Sequence, residues 1–223
     1  MKLRFIHAAL TAALLGALPA AHAVPTLRLS TETGATVTCA DGAACDVNAL
    51  AGAVTFVGSV GDFILNVTSG LSKPFLTNGQ PLMDLNSLNA TTTGGQHRLT
   101  IEFSDTGFQL GGGLGEFGGV LSSGAGASVE ASAFYDTGNA LWAQSTLMGD
   151  IGPFGPGAFS GTFLNTLAPS GPYSLTQIIT ISTVGASSFS GDFEVNLPEP
   201  TTLALLGLGL VGFAATRRRR QAS

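Results

Sequence analysis

Charge is almost missing from the middle of this chain, and that absence decides what it can fold into. Between residues 24 and 197 the only basic residues are Arg28, Lys73 and Arg98, while Gly, Ser, Thr, Ala and Asn are abundant. An amphipathic helix needs Lys, Glu and Arg to wet its outer face, and this segment cannot supply them. A sheet needs only Thr and Ser outside and Val, Ile or Phe inside. The expected class is therefore all-β.

Period-2 alternation recurs along the segment with turn signals between the runs. Thr26–Ser30 and Thr36–Cys39 form a first pair around Gly34, and Val54–Val60 and Phe63–Thr68 flank the turn dipeptide Gly61-Asp62. Pro81–Asn89 is a weaker strand. His97–Ser104 is the cleanest, apolar mainly at odd positions and polar at even ones. Ser128–Tyr135, Ala140–Met148, Ala158–Asn165, Tyr173–Val184 and Ser188–Leu197 complete the set. The glycine-rich stretch Gly111–Gly119 is expected to be a mobile connection, and since no Lys-Ser/Thr follows, it is not a phosphate cradle. About ten short, evenly punctuated strands predict a single β-sandwich or jelly-roll-like domain over residues 24–197. No exact repeat unit emerges, which argues against a solenoid.

The two ends have a different composition. Lys2 and Arg4 precede an Ala/Leu-rich run, and Ala21-His22-Ala23 has the A-x-A pattern of a cleavage site. Residues 1–23 are thus expected to be a signal peptide handled by the Sec translocon and signal peptidase, with an uncleaved anchor helix as the alternative. At the other end, Pro198-Glu199-Pro200 is followed by the uncharged run Thr201–Thr216 and then by Arg217-Arg218-Arg219-Arg220. Sixteen helical residues span about 24 Å, a little less than the ~30 Å hydrocarbon core. Arginine heads reaching the interface close part of that gap. The arginines would stay cytoplasmic, so residues 24–197 would face the opposite side. Gly207, Gly209 and Gly212 fit a G-x-G-x-x-G spacing, but no strand precedes them and no βαβ unit can follow.

This three-part order over residues 198–223 resembles the PEP-CTERM sorting signal of Gram-negative bacteria that make extracellular polymer. Pro198, Glu199 and Pro200 match the name-giving triplet, Leu203–Ala215 the helix, and Arg217–Arg220 the basic stop. The resemblance implies processing by an exosortase, an integral-membrane cysteine enzyme that removes the helix; a plain membrane anchor is the alternative. The same region also carries the label ice-binding protein C-terminal domain. Ice binding needs a regular Thr array, whereas Thr36, Thr38, Thr91–Thr93 and Thr180–Thr183 are isolated groups. The stretches Asn66–Pro74, Met83–Ser87 and Phe103–Phe108 further resemble a set of PEP-CTERM proteins with no known activity to transfer.

Glu199 aside, thirteen acids face the three bases of the central segment, a formal charge of about −10. Such a surface repels nucleic acid and anionic lipid. Cys39 and Cys45 are the only cysteines, and in an exported chain they read as a disulfide closing a small loop, with free thiols as the alternative. Asp41, Asp46 and Asn48 surround that loop and are weak candidates for a Ca²⁺ site, although no EF-hand or nonapeptide spacing is present. No other cofactor is expected.

Asp105-Thr106-Gly107 and Asp136-Thr137-Gly138 are the triplets of a two-lobed aspartic protease. A separation of thirty-one positions between the aspartates leaves no room for a lobe, so both triplets are expected to be turns. A Ser-His-Asp site would have to use His97, the one histidine outside residues 1–23, and no G-x-S-x-G elbow exists. His97 is expected to be an exposed or edge residue. A two-carboxylate glycosidase remains open on acid count, but Trp142, Tyr135 and Tyr173 offer few stacking platforms besides Phe. The expectation is a non-enzymatic cell-surface or matrix protein, exported, transiently membrane-anchored and processed at its tail. The alternative is a domain that binds or cleaves the carbohydrate of the extracellular polymer.

Overall fold

A computed structural model describes residues 24–76, 82–109, 113–165 and 171–196. Among them the chain forms twelve strands: β1 (Thr26–Thr31), β2 (Thr36–Ala40), β3 (Ala53–Val60), β4 (Phe63–Leu71), β5 (Met83–Thr92), β6 (Gln96–Phe108), β7 (Leu114–Ser122), β8 (Ser128–Asp136), β9 (Thr146–Phe154), β10 (Gly157–Leu164), β11 (Tyr173–Val184) and β12 (Ser187–Asn196). They build two antiparallel six-stranded sheets. The first runs β2-β1-β6-β11-β8-β9 and the second β10-β7-β12-β5-β4-β3. Contacts of β2 with β3, β11 with β12 and β9 with β10 stack them as a sandwich, as the alternation predicts. The signal-peptide and tail segments lie outside the described residues.

The odd positions of β6 (Leu99, Ile101, Phe103) and of β11 (Leu175, Ile179, Ile181) turn inward and are fully buried. Leu65, Leu85, Phe117, Phe193 and Val195 meet them from the second sheet. Each such side chain contributes about 1.5–3 kcal/mol on burial, so the core needs no helix. Gln177 is the polar exception on β11. Its Nε2 crosses the sandwich to donate to the Phe193 carbonyl at 2.9 Å.

Two strand expectations are corrected. The stretch expected to be a connection is strand from Leu114 onward, part of β7 and paired on both sides by β10 and β12. At the inward Gly115, an aromatic ring of the neighbouring strand fills the space of the missing side chain. The Phe163 ring lies 2.1 Å from where a Cβ on Gly115 would sit. The strand expected at Ala140–Met148 begins only at Thr146. Asn139 and Trp142 take positive φ, 56° and 67°, which no strand permits.

Residues 137–145 instead fold over the outer face of the first sheet. Trp142 N–H donates to Ser104 Oγ at 3.1 Å, Ser174 Oγ donates to the Ala140 carbonyl at 2.7 Å, and Arg28 lies over the Trp142 ring at 4.4 Å. Arg28 is fixed in turn by Glu102, at 2.5 and 2.7 Å. The segment thus covers that face around Arg28, Ser104 and Ser174.

Candidate functional site

Several residues singled out in the sequence have structural positions. Cys39 and Cys45 form the disulfide, with Cα atoms 5.7 Å apart. Just after its loop Asp46 accepts backbone N–H groups from Gly42, Asn48 and Thr55 at 2.8–3.0 Å, and within it Asp41 accepts that of Gly52 at 2.7 Å. Asn48 accepts the N–H of Leu50 at 3.0 Å. The oxygens offered to Ca²⁺ thus shape the loop, and among the described residues no group of three or more His, Cys, Asp or Glu is arranged to hold a metal.

Asp136 behaves as expected of a turn. Its carboxylate accepts Ala140 N–H and Ser145 Oγ–H, and the Ser145 bond above all lowers its pKa. Asp105 does not. It faces inward from β6, wholly buried, and accepts Ser72 Oγ–H at 2.6 Å and Lys73 Nζ–H at 2.7 Å. Its triplet is strand because an ammonium group balances its charge. Gly107 N–H donates to Oδ1 of Asn139, the residue after the second triplet, at 2.7 Å. His97 stands at the start of β6, paired with Thr183 of β11 and beyond the last β1 pair at Leu99, its side chain 19% exposed, with Glu32 and Asp62 carboxylates at 3.5 and 3.4 Å from Nδ1.

The outer face of the second sheet is open. Across it runs a groove of about 700 Å³ bounded by β5, β12, β7 and β10. Register explains its chemistry. Glu194 on β12 sits opposite Glu116 on β7 and opposite Asp84 on β5, so three carboxylates share one rung. Thr162 of β10 extends that rung. The next rung holds Asp192, Gly118 and Ser160, where the absent side chain of Gly118 leaves the floor low. Like charges placed directly opposite each other destabilise a sheet. None of Arg28, Lys73 and Arg98 lines the groove.

The carboxylates respond as such crowding requires. Burial first, then the charges of Glu194 and Asp192, pushes the Asp84 pKa up to about 6, against the pull of an Asn86 Nδ2–H bond at 2.8 Å. A hydrogen bond between the Glu116 and Glu194 carboxyl groups raises the Glu116 pKa, with desolvation adding to it.

The sequence did not bring these four acids together. Asp192 and Glu194 could be placed on one face from the alternation Ser190-Gly191-Asp192-Phe193-Glu194. Glu116 lay in the stretch expected to be a connection, and Asp84 joins the rung only through the β5–β12 register.

A family model, described as the PEP-CTERM protein-sorting motif, matches residues 196–220. The chain carries a PEP-CTERM tail. That motif implies export, a membrane anchor before processing, and processing by an exosortase. Among the described residues no helix is long and apolar enough to cross a membrane; Pro198–Pro200, the apolar run and Arg217–Arg220 all lie outside them. No curated protein matches in sequence. Among solved structures, the chain is similar to TmCBM61 in complex with β-1,4-galactotriose, at 11% identity over 54% of this chain and 74% of that one, TM-score 0.33. A structure from a study of carbohydrate-binding modules of the β-sandwich superfamily gives 15% identity over 77% and 70%, TM-score 0.31. The GH31 α-xylosidase of Xanthomonas citri gives 11% identity over 84% of this chain but 19% of that enzyme, TM-score 0.29. These are distant likenesses, and what the groove can do is decided by its own residues.

Proposed function

We propose that the PEP-CTERM chain is a non-catalytic protein of the cell surface or extracellular matrix, and that the groove on the second sheet binds the polysaccharide of that matrix. The observation that carries this reading is the carboxylate rung Glu116–Glu194–Asp84, in register on the outer face of the second sheet, where it lines the groove. An ionised carboxylate only accepts hydrogen bonds, so its ligand must donate. A polymer of neutral or amine-bearing sugars presents such donors at regular intervals, and Ser160 and Thr162 supply hydroxyls beside the acids. A polymer rich in uronic acid or sulfate would be repelled. Glu116 and Glu194 stand directly opposite each other on neighbouring strands.

The test is affinity electrophoresis of the exported protein in gels containing neutral, amine-bearing or uronic-acid polysaccharide. Retardation is expected with the first two only. Gly118→Leu fills the groove floor. A Cβ there would meet nothing nearer than 3.5 Å, so the variant should melt like the parent while binding at least ten-fold more weakly. Equal binding by that variant, retention only on the acidic polymer, or new reducing ends in the neutral one would each defeat the reading.

A further inference from the structure

Four strands end the two sheets: β2 and β9 in the first, β3 and β10 in the second. An edge strand presents unpaired N–H and C=O groups, and proteins blunt such edges by shortness, proline, bulges or a covering loop. Strand β2 has only five residues. Strand β3 is covered by the segment after the disulfide, where Val47 N–H donates to the Thr55 carbonyl at 2.9 Å and Asp46 accepts Thr55 N–H at 2.8 Å. Strand β9 carries Pro153 and two register shifts against β8. Among the described residues, strand β10 has none of these devices. Its eight residues, Gly157–Leu164, contain no proline and no charge and keep unbroken register with β7.

Asn165 N–H donates to the Gly113 carbonyl at 2.7 Å, one step beyond the Leu164–Leu114 pair. The antiparallel alternation then turns the backbone groups of residues 157, 159, 161 and 163 toward β7 and those of Ala158, Ser160, Thr162 and Leu164 outward. All four of the latter are exposed. The edge also reads alike in both directions. In Ala158-Phe159-Ser160-Gly161-Thr162-Phe163-Leu164, a central glycine is flanked by hydroxyls, then by phenylalanines, then by aliphatic side chains.

We propose that β10 pairs with β10 of a second copy of this chain, antiparallel about a two-fold axis through Gly161. In this register Ser160 faces the second copy's Thr162, and Ala158 faces its Leu164. Each outward residue pairs with an outward residue, giving about eight main-chain hydrogen bonds. Leu164, 72% exposed in the single chain, is then covered by an alanine. Phe159 stands opposite the second copy's Phe163 on the inner side, each ring kept in its own chain's core.

Charge selects this edge. A copy carrying about −10 is repelled by most of the surface, and β10 is the edge where approach costs least. The nearest groove acid is Glu116 on β7. It and its counterpart stand three strand spacings apart, about 14 Å, beyond the ~8 Å screening length at physiological salt. Eight residues a side are well below the 20–30 of a standard interface, so association is weak and concentration-dependent. The paired chains share one continuous twelve-stranded sheet.

Sedimentation velocity of the exported protein from low-micromolar to millimolar concentration is expected to show a monomer–dimer equilibrium. Ala158→Pro removes an outward N–H without touching the β7 ladder, and Leu164→Lys places a charge on the edge; neither residue lines the groove. Each should abolish the dimer. Cysteine placement tests the register independently. Ser160→Cys and Thr162→Cys chains, mixed and oxidised, should cross-link, whereas either variant alone should not, because only opposite residues lie within disulfide reach. A monomer at every concentration, a dimer surviving both edge variants, or equal cross-linking by Ser160→Cys alone would overturn the proposal. Capture of an unrelated extended peptide in place of a second copy would do so too.

Discussion

Replacing Asp84 with asparagine should make the folded chain more stable at neutral pH. Asp84 titrates at about 6 in the folded chain against an ordinary value of 3.8. Between those pH values the folded state holds a proton that the unfolded chain has released. Stability therefore falls as the pH rises through this window, and above 6 the full penalty of an ionised Asp84 is present. The ceiling is about 3 kcal/mol. Asp84 is only partly buried, and solvent screening brings the expected gain to about 1–2 kcal/mol. Asparagine keeps the shape and, through Oδ1, can still accept the Asn86 bond. For a domain of this size each kcal/mol moves Tm by about 2–4 °C, so Asp84→Asn should melt about 2–8 °C above the parent at pH 7.5. At pH 4, where the parent's Asp84 is protonated when folded, the difference should shrink to a fraction of that. Thermal melts of both proteins at both pH values suffice. A loss of stability at pH 7.5, or a gain of equal size at pH 4, would refute the argument. The same variant should bind its polymer more weakly, the trade expected where a binding face is held at the expense of stability.

Lys73→Met leaves Asp105 buried without its cation and should cost about 3–5 kcal/mol, read as a lowered urea midpoint with an unchanged m-value. Reducing Cys39–Cys45 should cost about 2 kcal/mol on the chain-entropy account of so short a loop; titration of the unreduced exported protein should find no free thiol. In a host carrying an exosortase, mass spectrometry of the exported fraction should find no peptide containing Leu203–Arg217. Replacing Pro198-Glu199-Pro200 by alanines should trap the chain in the membrane fraction.

The fold class was legible because burial on a sheet leaves a period-2 trace, and Leu99, Ile101 and Phe103 carry it plainly. Where glycines replace the inward residues, as at Gly115 and Gly119, the trace disappears and β7 read as a connection. Asp105 read as a turn because its triplet is turn-like in isolation; only the arrival of Lys73 from the β4 end makes it a strand residue. The disulfide needed no more than two cysteines and an oxidising destination. The groove was illegible for a different reason. Its rung joins residues 84, 116 and 194, whose adjacency is set by the pairing of three strands far apart in the chain, and no local pattern records that register.

The segment 137–145 that closes over the first sheet has a practical corollary. It holds Trp142, the chain's single tryptophan, against the Arg28 guanidinium, on the sheet opposite the groove. Indole emission is thus a built-in reporter of whether the Arg28–Glu102 side of the molecule is folded, and it is blind to occupancy of the carboxylate rung. Fluorescence will follow unfolding faithfully and stay flat in a polysaccharide titration, so a silent titration says nothing against binding.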